Sequence, residues 1–97
     1  MLGAVRLGDM STGHPHCYLA RKNLEASNNV LINGKGAHRK GDAWANHGAC
    51  SDHRPHGGIA ASGSQRVFVN GKPLCRIGDN ISCGDCMATG SSDVIVG

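Results

Sequence analysis

The sequence predicts a small, glycine-rich, all-β fold of short hairpins arranged about an approximate threefold axis, and three observations carry that prediction. The phrase Arg-x-Gly-Asp occurs three times, as Arg6-Leu7-Gly8-Asp9, Arg39-Lys40-Gly41-Asp42 and Arg76-Ile77-Gly78-Asp79. A metal-capable side chain follows each copy at a nearly fixed offset: His14 and His47 five residues after their aspartates, Cys83 four residues after Asp79. The second and third copies share a longer frame, in which residues 30–42 and 67–79 agree at seven of thirteen positions without a gap. A fragment of the same frame returns at the end of the chain, Ser91-Ser92-Asp93-Val94-Ile95-Val96 against Ser64-Gln65-Arg66-Val67-Phe68-Val69. The repeat is therefore staggered circularly: the first copy lacks its hairpin half and the last keeps only an opening.

Taken in order, Met1 to Arg6 reads as a short apolar strand that ends at the first Gly-Asp, and Gly13-His14-Pro15-His16-Cys17 as a turn-rich loop. Tyr18 to Asn23 is ambiguous between strand and loop. Glu25 to Asn29 reads as a turn into the β-branched Val30 to Ile32. Asn33-Gly34 and Asn70-Gly71 are strong hairpin signals, because a type I′ turn needs positive φ at both central residues. They predict return strands over Lys35 to Arg39 and Lys72 to Arg76. Residues 43 to 63 show no helical period and read as irregular, with a short turn over Asp42 to Asn46. Met87 to Gly97 is expected to pair back as a closing strand.

At 97 residues with 18 Leu, Ile, Val and Phe the core is thin, and a scaffold of this kind needs a staple. Five cysteines are an odd number for a closed disulfide framework, whereas five cysteines with six histidines amply supply metal ligands. The first residues carry charge, without an apolar run of signal-peptide length, and nothing is fit to span a bilayer, so the default expectation is synthesis in a reducing cytosol. The formal charge of +3 is scattered and the three aromatic residues form no stacking platform, which argues against nucleic-acid binding. Three copies of one carboxylate argue for architecture over catalysis: Asp9, Asp42 and Asp79 are expected to accept backbone N–H groups beside glycines that bend the chain. No catalytic residue and no enzymatic activity are predicted.

The thrice-used Arg-x-Gly-Asp, the Val-x-Val-Asn-Gly-x-Pro hairpins, the Gly-Ser before a strand and the His or Cys after each Gly-Asp together resemble the PAAR-repeat proteins, over essentially all of residues 1–97 as one domain. The name-giving Pro-Ala-Ala-Arg stands here as Gly3-Ala4-Val5-Arg6, Gly36-Ala37-His38-Arg39 and Pro73-Leu74-Cys75-Arg76. The resemblance implies a cone with a metal near its apex and a flat base that caps a trimeric β-helical spike, one tip per trimer. Such a tip sharpens the spike of a type VI secretion system or sits on the baseplate of a contractile phage tail as a virion protein, aiding piercing of the target envelope. It would be made in the bacterial cytoplasm and touch the target membrane transiently. Carried over by position, the ligands are His14, His47, His56 and Cys83. Three imidazoles and a thiolate suit tetrahedral Zn²⁺ better than iron, and four protein ligands leave no place for a catalytic water.

Other residues compete for these roles. His53, His16, Cys17 and Cys50 are rival ligands, Cys86 completes a Cys-x-x-Cys with Cys83 yet reads as spare, and Cys75 reads as a small core residue. The competing functions are a stand-alone zinc-binding interaction module touching nucleic acid, a small zinc hydrolase and a disulfide-rich secreted domain.

Overall fold

The computed structural model describes residues 1–15, 18–48 and 56–97; His16, Cys17, Cys50 and His53 lie outside the described residues. Among the described residues there are short strands and no helix. The strands are β1 (Leu2–Gly3), β2 (Leu31–Ile32), β3 (Lys35–Gly36), β4 (Ala43–His47), β5 (His56–Ile59), β6 (Phe68–Val69), β7 (Lys72–Pro73) and β8 (Ile95–Val96).

The two Asn-Gly hairpins form as their sequence dictates. Asn33 and Asn70 both have φ of 54° and Gly34 and Gly71 both 78°, the two positive angles of a type I′ turn. They set matching registers: Leu31 opposite Gly36 and Ile32 opposite Lys35, Phe68 opposite Pro73 and Val69 opposite Lys72. The third hairpin is assembled from distant pieces. β8 and β1 pair with Ile95 opposite Gly3 and Val96 opposite Leu2, the same register with the turn open. The circular stagger of the repeat is thus resolved by the first and last strands completing one another.

Three equivalent segments then close into a ring. Arg6 bridges to Ala37, Arg39 to Leu74 and Arg76 to Ala4, so that each copy holds the next and the last holds the first. At the centre Val5 N–H donates to the Cys75 carbonyl, Cys75 N–H to that of His38, and His38 N–H to that of Val5, at 2.9–3.0 Å. All three residues are fully buried. Each Arg-x-Gly-Asp is a tight turn: the aspartate N–H donates to the arginine carbonyl at 3.0 Å in all three, with φ of 87°, 93° and 96° at Gly8, Gly41 and Gly78. That is the positive φ a type II turn needs at its third residue. The aspartate folds back onto its own arginine. Asp42, for instance, accepts Arg39 N–H and Nε at 2.9 Å and Nη2 at 3.0 Å, and Arg6–Asp9 and Arg76–Asp79 repeat the pattern. Ser27, Ser64 and Ser91 likewise each accept two backbone N–H groups, two and three residues on, which shapes the chain into β2, β6 and β8.

Two apolar layers stack along this axis. One joins Ala4, Ala37 and Leu74 to Ile32, Val69 and Val96; the next holds Val5, Cys75, Trp44, Ala60, Ile81 and Met87, with Cys83 packed against it. Cys75 is a core residue, its thiol pushed up by burial. The apolar residues before the two Asn-Gly turns divide between the core and the surface. Ile32 and Val69 face the core immediately before their turns, while the pairs Val30-Leu31, Val67-Phe68 and Val94-Ile95 look outward; Leu31, Phe68 and Ile95 are 60%, 55% and 43% exposed. These pairs make a threefold set of apolar side chains at the hairpin end.

The expected turn over Asp42 to Asn46 is corrected: Ala43–His47 is the longest strand among those described, paired with His56–Ile59. Ala43 and Trp44 lie opposite Ile59 and Gly58, then the register shifts before His47 meets His56. This bulge re-aims the strand, and it is the reason that Trp44 and His47, three apart, both face inward.

Candidate metal centre

Beyond the second apolar layer the three copies diverge into arms of different length. The first arm is closed where Ser11 N–H donates to the Arg21 carbonyl and Arg21 N–H to the Ser11 hydroxyl. Within it His14 N–H donates to the Tyr18 carbonyl at 2.8 Å. Gly13, at φ of 75°, lets this turn close: a Cβ there would stand 2.8 Å from the Tyr18 carbonyl oxygen and 2.9 Å from Ala20 N. The second arm is the β4–β5 hairpin, whose bulge sets His47 and His56 opposite each other. The third is a tight turn from Ile81 to Asp85, bent at Gly84 with φ of 99°, that presents Cys83.

The arms converge. His14, His47, His56 and Cys83 bring one ligand atom each to within 4.8 Å of every other. The Nε2 atoms of His14 and His47 are 3.2 Å apart, those of His14 and His56 3.2 Å, those of His47 and His56 2.9 Å, and Cys83 Sγ is 3.9 Å from His47 Nε2. A tetrahedral centre with metal–nitrogen bonds of about 2.0–2.1 Å has nitrogen–nitrogen edges of roughly 3.3 Å, so the nitrogens are spaced for one ion. His47 Nδ1 lies 2.7 Å from the Leu19 carbonyl, which can only accept, so this ring carries its proton on Nδ1 and turns the Nε2 lone pair to the centre. A cation among them would let all three Nε2 atoms turn their lone pairs to one point. The four side chains can hold one metal ion, and they are the four positions named from the sequence.

Tyr18 covers the cluster, stacked on His14 and on His56 at 4.5 and 4.3 Å between ring centres. Desolvation, and then the charges of His47, His14 and Arg21, hold the His56 imidazole below its ordinary pKa. Cys86 is turned away toward Asn80 Oδ1, at 3.6 Å.

Beneath the cluster lies a pair that sequence reasoning missed. Arg21 Nη1 donates to Asp85 Oδ2 at 2.7 Å, with both side chains buried. Burial pushes the Asp85 carboxyl up, yet hydrogen bonds from Ser11, Thr12 and the Cys86 N–H, with the Arg21 charge, outweigh it and leave it below the usual range. A signal was present. Arg21 and Asp85 each stand six residues before a strand-leading serine, Ser27 and Ser91, and Gly58 holds that place before Ser64.

Comparison with known proteins agrees with this geometry. Residues 51–97 match the family model of the PAAR motif. Over 80 residues, 76% of this chain, it is 34% identical to the NAD(P)(+) glycohydrolase toxin Tse6 of Pseudomonas aeruginosa strain PAO1, and equally to the (p)ppApp synthetase toxin Tas1 of strain UCBPP-PA14, covering 18% of each. Over 45 residues, 46% of the chain, it is 44% identical to the double-stranded DNA deaminase toxin A of Burkholderia cenocepacia strain H111, covering 3% of that protein. The chain thus spans less than a fifth of the length of these relatives.

Proposed function

Since the chain is a PAAR-motif protein, we propose that it serves as the structural spike tip of a contractile injection machine, capping a trimeric β-helical spike with one copy per trimer. The observation that carries this reading is the threefold set Val30-Leu31, Val67-Phe68 and Val94-Ile95 at the hairpin end. One chain offers a valine followed by a large apolar residue three times, which is the pattern a true trimer can meet with three identical surfaces. The toxin relatives favour a type VI secretion system over a phage tail. In that setting the chain is made in the bacterial cytoplasm, rides on the spike and crosses the target envelope in transient contact with its membrane.

The metal in this reading is Zn²⁺, held by His14, His47, His56 and Cys83, and its role is structural: a four-ligand site is closed to water and substrate. The tip is then not an enzyme, and the match covers only 3–18% of the toxins it resembles. The apolar ring, in place of a basic face, favours a spike over nucleic acid as partner.

The test is reconstitution with a trimeric β-helical spike, followed by native mass measurement and metal analysis. One tip and one zinc per three spike chains is the expected result. A three-to-three complex, or no complex with any such spike, overturns the assignment.

A further inference from the structure

The Arg21–Asp85 pair crosses the axis between the second apolar layer and the four ligand atoms. Below it Trp44 offers its ring face, 5.6 Å from the guanidinium carbon. Above it Arg21 Nη2 lies 3.3 Å from Cys83 Sγ, and Nη1 lies 2.9 Å from His47 Nε2. Asp85 is anchored in turn by the Thr12 hydroxyl at 2.6 Å and by the Cys86 N–H at 2.9 Å. The third equivalent place is Gly58, where a Cβ would come within 2.9 Å of Ile81 Cγ2 and 3.2 Å of Arg21 Nη2, so the guanidinium spans the axis because that place has no side chain.

A buried arginine beside a cation site is costly in itself, since two positive charges repel at low dielectric. Asp85 removes that objection by pairing with it. What remains is a rigid fork whose Nη1 sits on the carboxylate and beside His47 Nε2 and whose Nη2 sits on the ligand sulfur, a contact that pairing with Asp85 does not by itself require. We infer that Arg21 is a positioning residue for the metal: locked by Asp85, it donates to Cys83 Sγ and so fixes where the sulfur points and how much charge it gives to a bound cation. This rests on the metal reading above.

Cobalt(II) is a suitable probe, because its sulfur-to-metal charge-transfer band reports the electron density on the thiolate. In the 97-residue chain, Arg21→Met is expected to lower cobalt affinity by about 10- to 100-fold, the usual effect of losing a partner of a metal ligand. The band should move to lower energy as the sulfur loses its donor. Arg21→Lys keeps the charge opposite Asp85 but lacks the fork, so it should retain the near-ultraviolet signal of Trp44 while shifting the same band. A pair that served stability alone would leave the band of Arg21→Lys where the unsubstituted protein has it, and that result overturns the inference. So does an unchanged affinity in Arg21→Met. If the unsubstituted chain takes up neither cobalt nor zinc, the metal reading itself fails and this inference with it.

Discussion

At the hairpin end, equivalent places hold like residues. Leu31, Phe68 and Ile95 are all apolar and exposed, Ser27, Ser64 and Ser91 are the same residue making the same bonds, and the three Arg–Asp pairs superimpose in chemistry. At the metal end, equivalent places hold Arg21, Gly58 and Asp85, and the arms deliver one, two and one ligands from three copies. Repetition suits a surface that must meet a symmetric partner, whereas a coordination site needs four donors from a threefold frame and can be built only by abandoning the repeat.

Substitutions can break this comparison, beginning with its asymmetric half. His47→Ala and Cys83→Ser are expected to lose the metal and most of the stability. Structural zinc contributes on the order of 10 kcal/mol in small peptides, comparable to the whole net stability of a domain this size. Cys86→Ser, one turn away, should keep one metal per chain by emission spectroscopy. Refolding by dilution from denaturant with strong chelator should yield no native near-ultraviolet signal; full recovery without metal would remove the ion from the structural account.

Within the symmetric half the expected losses are smaller and graded. Asp42→Ala leaves Arg39 without its carboxylate and should cost roughly 3 kcal/mol, at the low end for breaking a buried pair because Arg39 reaches solvent. Asp9→Ala, less buried, should cost less in the same urea titration. Equal losses would mean that burial does not set the strength of these pairs.

The smallest effect concerns His38, the residue that spoils the symmetry of the central ring. Its Nδ1 meets the Glu25 carbonyl at 2.7 Å, Trp44 packs edge-on, and its Nε2 is buried without a partner among the described residues. Desolvation is the main cause that lowers its pKa from 6.5. The unfolded chain therefore takes up the proton first. The contribution of neutral His38 is complete above about pH 6.5 and is lost as pH falls from there through the folded value. His38→Val, matching Val5, should flatten the stability profile between pH 7 and 5, and an unaltered slope would assign that dependence elsewhere.

Much of this was legible in the sequence because it is local. Asn-Gly fixes a turn within two residues, Arg-x-Gly-Asp folds back on itself within four, and the offset from Gly-Asp set His14, His47 and Cys83 at the heads of their arms. What was not legible depends on partners far along the chain. The strand Ala43–His47 lacks strict alternation because a bulge interrupts it, and its partner His56–Ile59 is half glycine. Which of Val30, Leu31 and Ile32, or of Val67, Phe68 and Val69, turns inward has no signature either, since strands of two residues take their facing from the adjacent turn and not from a period. Arg21 and Asp85 have no local signature; only their common distance from a serine ties them together.

The ring of bridges also fixes an order of events in folding. β2–β3 and β6–β7 need only a two-residue reversal, and such hairpins form in about 1–10 μs. β1 and β8 lie nearly a full chain length apart, so their pairing must overcome the closure entropy of everything between them. Each link of the ring except the one through Arg76 and Ala4 can form between neighbouring copies; that last link joins the first copy to the third. High contact order at this single seam is expected to make it the slow step, and an ion held by His14, His47, His56 and Cys83 would draw its ligands from all three copies and be fully enclosed only once the seam has shut.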